Sequence, residues 1–282
     1  MRPDEQAIAD ADARFTQWMR LNLDRAADHF GLTLTGQSVF GWRLRTIGAP
    51  AAGGEGPVWL RVVTEFPEWA HGDTWTGNTD ANTLTGITKP QVIGVHEWDE
   101  QNWRRQRAEV LTLLPGTAIS RTNQLRAAVD LPDAWWADLR EGIDVLRATL
   151  TVRAYTTSGR VAQRTRATYG TELHVTEWET VHGDLHWENL LAPEFGLIDW
   201  ELWGRGPAGM DAATLLLYSL LIPEVAERVY DTFADQLDTP AGRTAQLAVA
   251  ARLLSRIADG DFPELADPIR AHVRRLGVIP VR

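Results

Sequence analysis

The chain has 282 residues, of which 28 are Lys or Arg and 38 are Asp or Glu, so its formal net charge is −10. That balance argues against nonspecific nucleic-acid binding and against attraction to anionic membranes. The chain has no cysteine, which excludes disulfides, thiolate metal sites and a cysteine nucleophile.

The length allows a large core and a division into two lobes. The opening MRPDEQAIADADARF lacks the apolar run of a secretory signal, and no stretch has the length of a membrane span. A cytoplasmic location is the expectation. Lysine occurs once, at Lys89; every other basic residue is arginine.

In chain order, residues 4–30 read as an amphipathic helix with Ala7, Ile8, Ala11, Phe15, Trp18, Met19 and Leu23 on one face. Residues 38–47 read as a strand carrying Phe40, Trp42 and Leu44. The glycine-rich residues 48–56 read as a turn, and they match neither GxGxxG nor GxxxxGK[ST]. Residues 58–64, VWLRVVT, read as a second strand paired antiparallel with the first. Residues 65–90 are polar and irregular, with a short helix expected near 80–84. Residues 91–98 and 107–114 read as strands joined by the charged stretch 99–105, and Pro115 and Gly116 stop the second.

Residues 133–150 read as a helix through Trp136, Leu139, Ile143, Leu146 and Leu150. Residues 154–176 are rich in Arg and Thr and show no firm periodicity. Arg160, Arg164 and Arg166 there read as solvated surface, with phosphate contact as the alternative. A breaker-rich loop, 202–210, leads to Asp211, a residue suited to cap the apolar helix that follows. Residues 224–237, 241–258 and 265–276 read as further helices. The fold class expected is α+β: a β-rich lobe over residues 1–115 and a mainly helical lobe over 116–282. A cleft between them is the natural binding place.

The densest chemistry lies in VHGDLHWENLLAPEFGLIDWE, residues 181–201. Asp184 could take a proton from a hydroxyl. Asn189 and Asp199 offer hard oxygen donors suited to Mg²⁺, and His182 could brace the loop. Phosphoryl transfer needs this minimum of an orienting base and metal clamps. Three other readings stay open: a hairpin whose side chains satisfy its own backbone, a zinc site built on His182, Asp184 and His186, and a glycosidase acid pair. The zinc reading lacks a third nearby histidine, because His174 sits on a separate apparent strand.

HGDLHWEN followed by LIDWE resembles the aminoglycoside phosphotransferase and choline kinase family, small-molecule relatives of the protein kinases. The family's HGDxHxxN pattern is complete from His182 to Asn189. The resemblance implies a bilobal protein-kinase-like fold and an ATP- and Mg²⁺-dependent O-phosphotransferase, with GTP as the alternative nucleotide. It implies Asp184 as catalytic base, Asn189 and Asp199 as metal ligands, and Asp211 as the structural brace of the loop. Arg61 falls where the family usually carries a phosphate-binding lysine; it keeps the charge but not the shape.

The same resemblance places adenine against the backbone near Leu113, Leu114 and Gly116. Glu109 then sits on the strand leading to that hinge. The partner of Arg61 is left unassigned, with residues 73–84 as its expected source. The acceptor expected is a small hydroxyl compound. A cationic natural product such as an aminoglycoside would suit the bulk charge and would imply antibiotic resistance. The competing class is a non-catalytic nucleotide- or metabolite-binding protein of the same fold. Neither nucleic acid nor membrane is expected as a partner.

Overall fold

The structure is a computed structural model and describes residues 5–279. The expected helix start at Asp4 lies outside the described residues. The chain forms two compact units, one of Met1–Asn82 and Pro90–Leu114, the other of Thr83–Lys89 and Pro115–Arg282. The first is sheet-rich and the second mainly helical, which is the α+β architecture expected. No helix among the described residues is long and apolar enough to cross a membrane.

The first unit opens with helix α1, Glu5–Phe30. Its buried stripe is Met19, Leu23, Ala26 and Ala27, with Phe15 and Trp18 partly covered. Ala7, Ile8 and Ala11, expected on that face, are exposed because the helix overruns the sheet it covers. Two short strands, β1 (Thr33–Leu34) and β2 (Val39–Phe40), precede β3, Thr46–Gly53. The strand expected over 38–47 is therefore broken, by a turn at Trp42–Leu44 where Arg43 and Leu44 adopt positive φ.

The stretch read as a glycine-rich turn is mostly strand. In β3, Ile47, Ala49 and Ala51 alternate inward and are fully buried. The pattern is hard to read because alanine does the packing. β4, Gly56–Glu65, pairs antiparallel with β3 in a continuous register. Helix α2, Asp73–Asp80, lies earlier than the helix expected at 80–84, which is only a 3₁₀ turn. β5 (Val92–Glu100) and β6 (Arg104–Thr112) complete a sheet of order β1-β3-β4-β6-β5. The core lies between α1 and this sheet.

The second unit begins with β7, Thr117–Ala118, next to Gly116. Gly116 has φ of 94°, and a Cβ there would lie 2.6 Å from the Ala192 carbonyl oxygen, so the turn requires glycine. Helix α3, Asp133–Ala148, buries Trp135, Trp136, Leu139, Ile143 and Leu146. Helix α4, Ser158–Tyr169, occupies the stretch in which no periodicity was evident. Two of its four buried side chains, Thr165 and Thr168, are threonines, so a hydropathy pattern misses the face. The readable signals were at its ends: Thr157 accepts the Arg160 N–H as N-cap, and Gly170 closes it in the left-handed region.

His174, expected on a strand, follows in irregular chain. Then come β8 (Trp178–Val181), β9 (Leu190–Ala192), β10 (Gly196–Leu197) and β11 (Gly204–Pro207). β8 pairs with β11, and β9 lies between β10 and β7. Helix α5, Met210–Ser219, is buried along its whole length. The helix expected at 224–237 is two, α6 (Pro223–Thr232) and α7 (Ala234–Leu237), with the fully buried Phe233 at the break. Helices α8 (Pro240–Ala258) and α9 (Ala266–Arg275) complete the unit.

Candidate active site

The loop between β8 and β9 carries His182 to Asn189 and is fixed from below by aromatic packing. Trp187 is fully buried, donates its indole N–H to Ser219 Oγ at 2.9 Å, and stacks beside Trp135. Trp135 in turn donates to the Leu191 carbonyl at 2.8 Å. The sequence suggested no function for Trp187; it ties the stretch between His186 and Asn189 to α5.

Asp211 fixes the loop from the side. It is not the cap expected of it: the N-cap of α5 is Gly209, and no side chain caps the helix. Both Asp211 carboxylate oxygens instead accept backbone N–H groups of the loop, from His182 at 2.6 Å and Gly183 at 3.0 Å. Burial pushes the Asp211 carboxyl up to about 7, while those two N–H groups pull in the other direction. Gly183 has φ of 84°, and a Cβ would lie 2.5 Å from the Tyr155 ring and 3.1 Å from the Leu202 carbonyl oxygen. Glycine is the residue that allows this turn beside Asp184.

His182 is fully buried, with Nε2 3.1 Å from the Ile198 carbonyl oxygen, and its ring meets Trp200 edge-on. Burial depresses it to about 4, so the ring is neutral and carries its proton on Nε2. It ties the start of the loop to the backbone just before Asp199.

Asp184 keeps part of its side chain exposed, at 22%. Burial pushes its carboxyl up, but His186, at 3.1 Å from Oδ2, together with Arg252 and His182, outweighs this and holds it well below the usual carboxylate range. It is an ionised, oriented acceptor. The sequence left His186 without a role, and the structure gives it one: its Nε2 lies against Asp184 Oδ2. The spacing of two between Asp184 and His186 was the available signal.

Asn189 donates through Nδ2 to the Asp184 carbonyl oxygen at 3.0 Å, leaving Oδ1 as the atom able to ligate a cation. Ile198 N–H bonds to the Asn189 carbonyl at 3.0 Å, which links Asn189 to the approach of Asp199. Asp199 is exposed and has φ of 63°, a left-handed conformation that is strained for a residue bearing a Cβ. Glu188, between these acids in sequence, has its carboxyl raised by burial; His186 opposes this, and Asp199 and Asp184 add to it.

His182, Asp184, Asn189, Asp199 and Asp211 thus belong to one connected assembly in the second unit. The zinc arrangement does not form, because His182 Nε2 faces a backbone carbonyl and His186 Nε2 faces Asp184. Among the described residues no group of three or more His, Asp or Glu could hold a metal alone. Asn189 Oδ1 and the Asp199 carboxylate are oxygen donors of the kind that hard cations take.

The first unit holds Arg61 on β4. Its partner is Glu109, directly opposite in the β4–β6 register, with Nη1 3.2 Å from Oε2. The sequence reading placed Glu109 on the strand toward the hinge and sought the partner of Arg61 in residues 73–84. Glu109 is on that strand and is also a partner of Arg61. Residues 73–84 supply Asn78, whose Nδ2 donates to the same carboxylate at 2.8 Å. Arg107 adds Nε to Oε1 at 2.8 Å and reaches Glu97 with Nη1. Leu113 and Leu114 follow β6, Leu113 exposed and Leu114 partly so.

The phosphotransferase enzyme family model matches residues 80–248. The crystal structure of aminoglycoside phosphotransferase APH(4)-Ia superposes with a TM-score of 0.61 at 13% identity, covering 89% of this chain and 97% of that one. Amicoumacin kinase hAmiN, solved with AMP-PNP, Ca²⁺ and Ami, gives 0.55 at 14% identity, covering 94% of each chain. A protein of Haemophilus somnus 129PT described as a fructosamine-3-kinase gives 0.52 at 12% identity, covering 90% of this chain and 98% of that one. At such identities the likeness is one of fold. No curated protein sequence matches the chain.

Proposed function

Because the chain belongs to the phosphotransferase enzyme family, we propose that it transfers the terminal phosphoryl group of ATP to a hydroxyl of a small molecule, with Mg²⁺. The observation that carries this reading is the state of Asp184. Its carboxylate is ionised, partly exposed and oriented by His186 in a loop that Asp211 and Trp187 hold rigid. A general base must be charged and positioned before its substrate arrives.

In the step proposed, Asp184 accepts or orients the proton of the acceptor hydroxyl. The acceptor oxygen forms the new bond to phosphorus, the bond from the terminal phosphorus to its bridging oxygen breaks, and that electron pair leaves on ADP. Asn189 Oδ1 and the Asp199 carboxylate would hold Mg²⁺. Charge on the transferring phosphoryl oxygens would be offset by the bound ion. His182 and Asp211 fix the loop without touching substrate. Arg61 is kept as the basic residue for nucleotide phosphate, and the backbone of Leu113, Leu114 and Gly116 as the adenine contact. A net charge of −10 suits a cationic acceptor such as an aminoglycoside.

The test is Mg²⁺-dependent transfer from ATP across an acceptor panel, read by mass spectrometry of the product. Asp184→Asn should lower kcat on the order of 10²–10⁴-fold with the fold retained, as read by circular dichroism. Product formation by that variant at the wild-type rate would sink the reading.

A further inference from the structure

Helix α1 carries an apolar stripe that runs past the sheet it covers. Ala7, Ile8, Ala11, Phe15 and Trp18 follow one another at helical spacing on one side. Met19 and Leu23, further along, are buried against the sheet, whereas Ala7 and Ala11 are exposed and Ile8 is 47% exposed. Beside the overhang lies a cavity of about 290 Å³ lined by Ala11, Arg14, Phe15, Trp18 and Trp103.

The aromatic wall of this cavity is held in place. The β5–β6 hairpin turns through Gln101 and Asn102, both at positive φ, and sets Trp103 against Trp18 with ring centres 5.1 Å apart. Phe15 lies 5.3 Å from Trp18. The Arg104 guanidinium stands 5.3 Å from the centre of the Trp103 ring and 5.9 Å from that of Phe15. Trp103 still keeps 43% of its surface exposed. Fixed tryptophans and arginines around a hollow are the composition of an interface centre.

The charges of α1 select what covers it. From Ala7 to Ala13 the helix has Asp10 and Asp12 and no base; from Arg14 to Arg25 it has three arginines and one aspartate. A second α1 laid antiparallel over the first places each acidic half on the other's basic half, whereas a parallel one sets like on like. Asp10 and Arg14 are one turn apart on the same edge of the stripe, so a two-fold axis between them brings Asp10 of one copy to Arg14 of the other, and the reverse. In that register Ile8 of one copy meets Phe15 and Trp18 of the other. Ala11 falls near the crossing, where its methyl group lets the helices approach closely. The acidic half repels nucleic acid and anionic membranes.

We propose that α1 is a self-association surface, and that two copies of the chain pair through it as an antiparallel, two-fold dimer. The surface lies wholly in the first unit, and its test is independent of phosphoryl transfer.

The experiment is sedimentation of the full chain from about 1 to 200 µM. The wild type should pass from monomer to dimer over that range, as a helix-pair interface is a small one. Ile8→Glu should weaken the dimer about a hundredfold, with the fold retained by circular dichroism. Asp10→Arg and Arg14→Asp should each weaken it about three- to tenfold. An equimolar mixture of those two variants should recover the wild-type affinity, because only the mixed pair sets opposite charges against each other. The chain has no cysteine, so Ala11→Cys supplies one thiol per copy, which a short bis-maleimide should link. Leu21→Cys, at a 60% exposed position about 15 Å further along the helix, is the control and should stay unlinked.

A monomer at every concentration overturns the proposal, including one whose helix binds phosphatidylcholine vesicles instead. A dimer indifferent to Ile8→Glu and unlinked through position 11 overturns it too, since it uses another face. A dimer weakened by both charge variants and not recovered by their mixture overturns the antiparallel register.

Discussion

The 182–189 loop of the second unit and the charged network of the first each centre on a buried carboxylate, and they hold it in opposite ways. Asp211 receives two backbone N–H groups from neighbouring residues of one turn. Glu109 receives side chains from elements spread across its unit: Arg61 on β4, Asn78 on α2 and Arg107 on its own strand. The first arrangement positions backbone and through it Asp184. The second balances charge, since Arg61 and Arg107 are both largely buried and share that one carboxylate. Loss of Asp211 should therefore be felt first in activity, and loss of Glu109 first in stability.

Glu109→Ala tests the stability half and should have the larger effect on folding. It leaves two guanidinium groups buried against fewer acceptors, a change that typically costs about 3–5 kcal/mol. Urea unfolding followed by hydrogen exchange over β4 and β6 would show it. Exchange confined to the second unit, with β4 and β6 still protected, would mean that Glu109 does not hold the network together.

Asp211→Asn tests the other half. An amide can accept only one of the two loop N–H groups and turns an NH₂ toward the other, so roughly 1–3 kcal/mol of stability should be lost. A shift of the loop by a fraction of an ångström should lower kcat more than stability alone explains.

The pH dependence sharpens the contrast. His182 is depressed to about 4 from 6.5, so its contribution is complete above 6.5 and is lost as pH falls toward 4. Asp211 is raised to about 7 from 3.8, so its contribution is present in acid and is lost as pH rises through 7. Between pH 4 and 6.5 the two oppose each other. Removing Asp211 should therefore make the melting temperature fall more steeply with acid than in the wild type. Parallel pH–melting curves for the two proteins would contradict the assignment.

These two regions also differ in how far the sequence disclosed them. His182, Asp184, Asn189 and Asp199 lie within one short segment, so the order of residue types carried their chemistry. The link from Arg61 to Glu109 spans 48 positions and exists only because β4 and β6 pair in one register. No local pattern encodes that register. Helix α4 was hidden for another reason: Thr165 and Thr168 bury a face that hydropathy scores as polar, each back-bonding its hydroxyl to a carbonyl of the preceding turn.

Lys89 gives the smallest and most direct test, because among the described residues it pairs with no carboxylate of either arrangement. The chain's only lysine is 4% exposed, its ammonium has no hydrogen-bond partner among the described residues, and it lies 5.9 Å from the centre of the Trp200 ring. Burial lowers it to about 8 from 10.5. Between those values the folded state binds fewer protons than the unfolded one, so stability should rise as pH increases from 8 toward 10.5. Lys89→Met keeps the length of the side chain and removes the buried charge. It should stabilise the protein by about 1–2 kcal/mol at pH 7 and abolish that alkaline rise. A loss of stability in Lys89→Met would show instead that the ammonium has a partner, and that its charge is used in the way Glu109 uses the charge of Arg61.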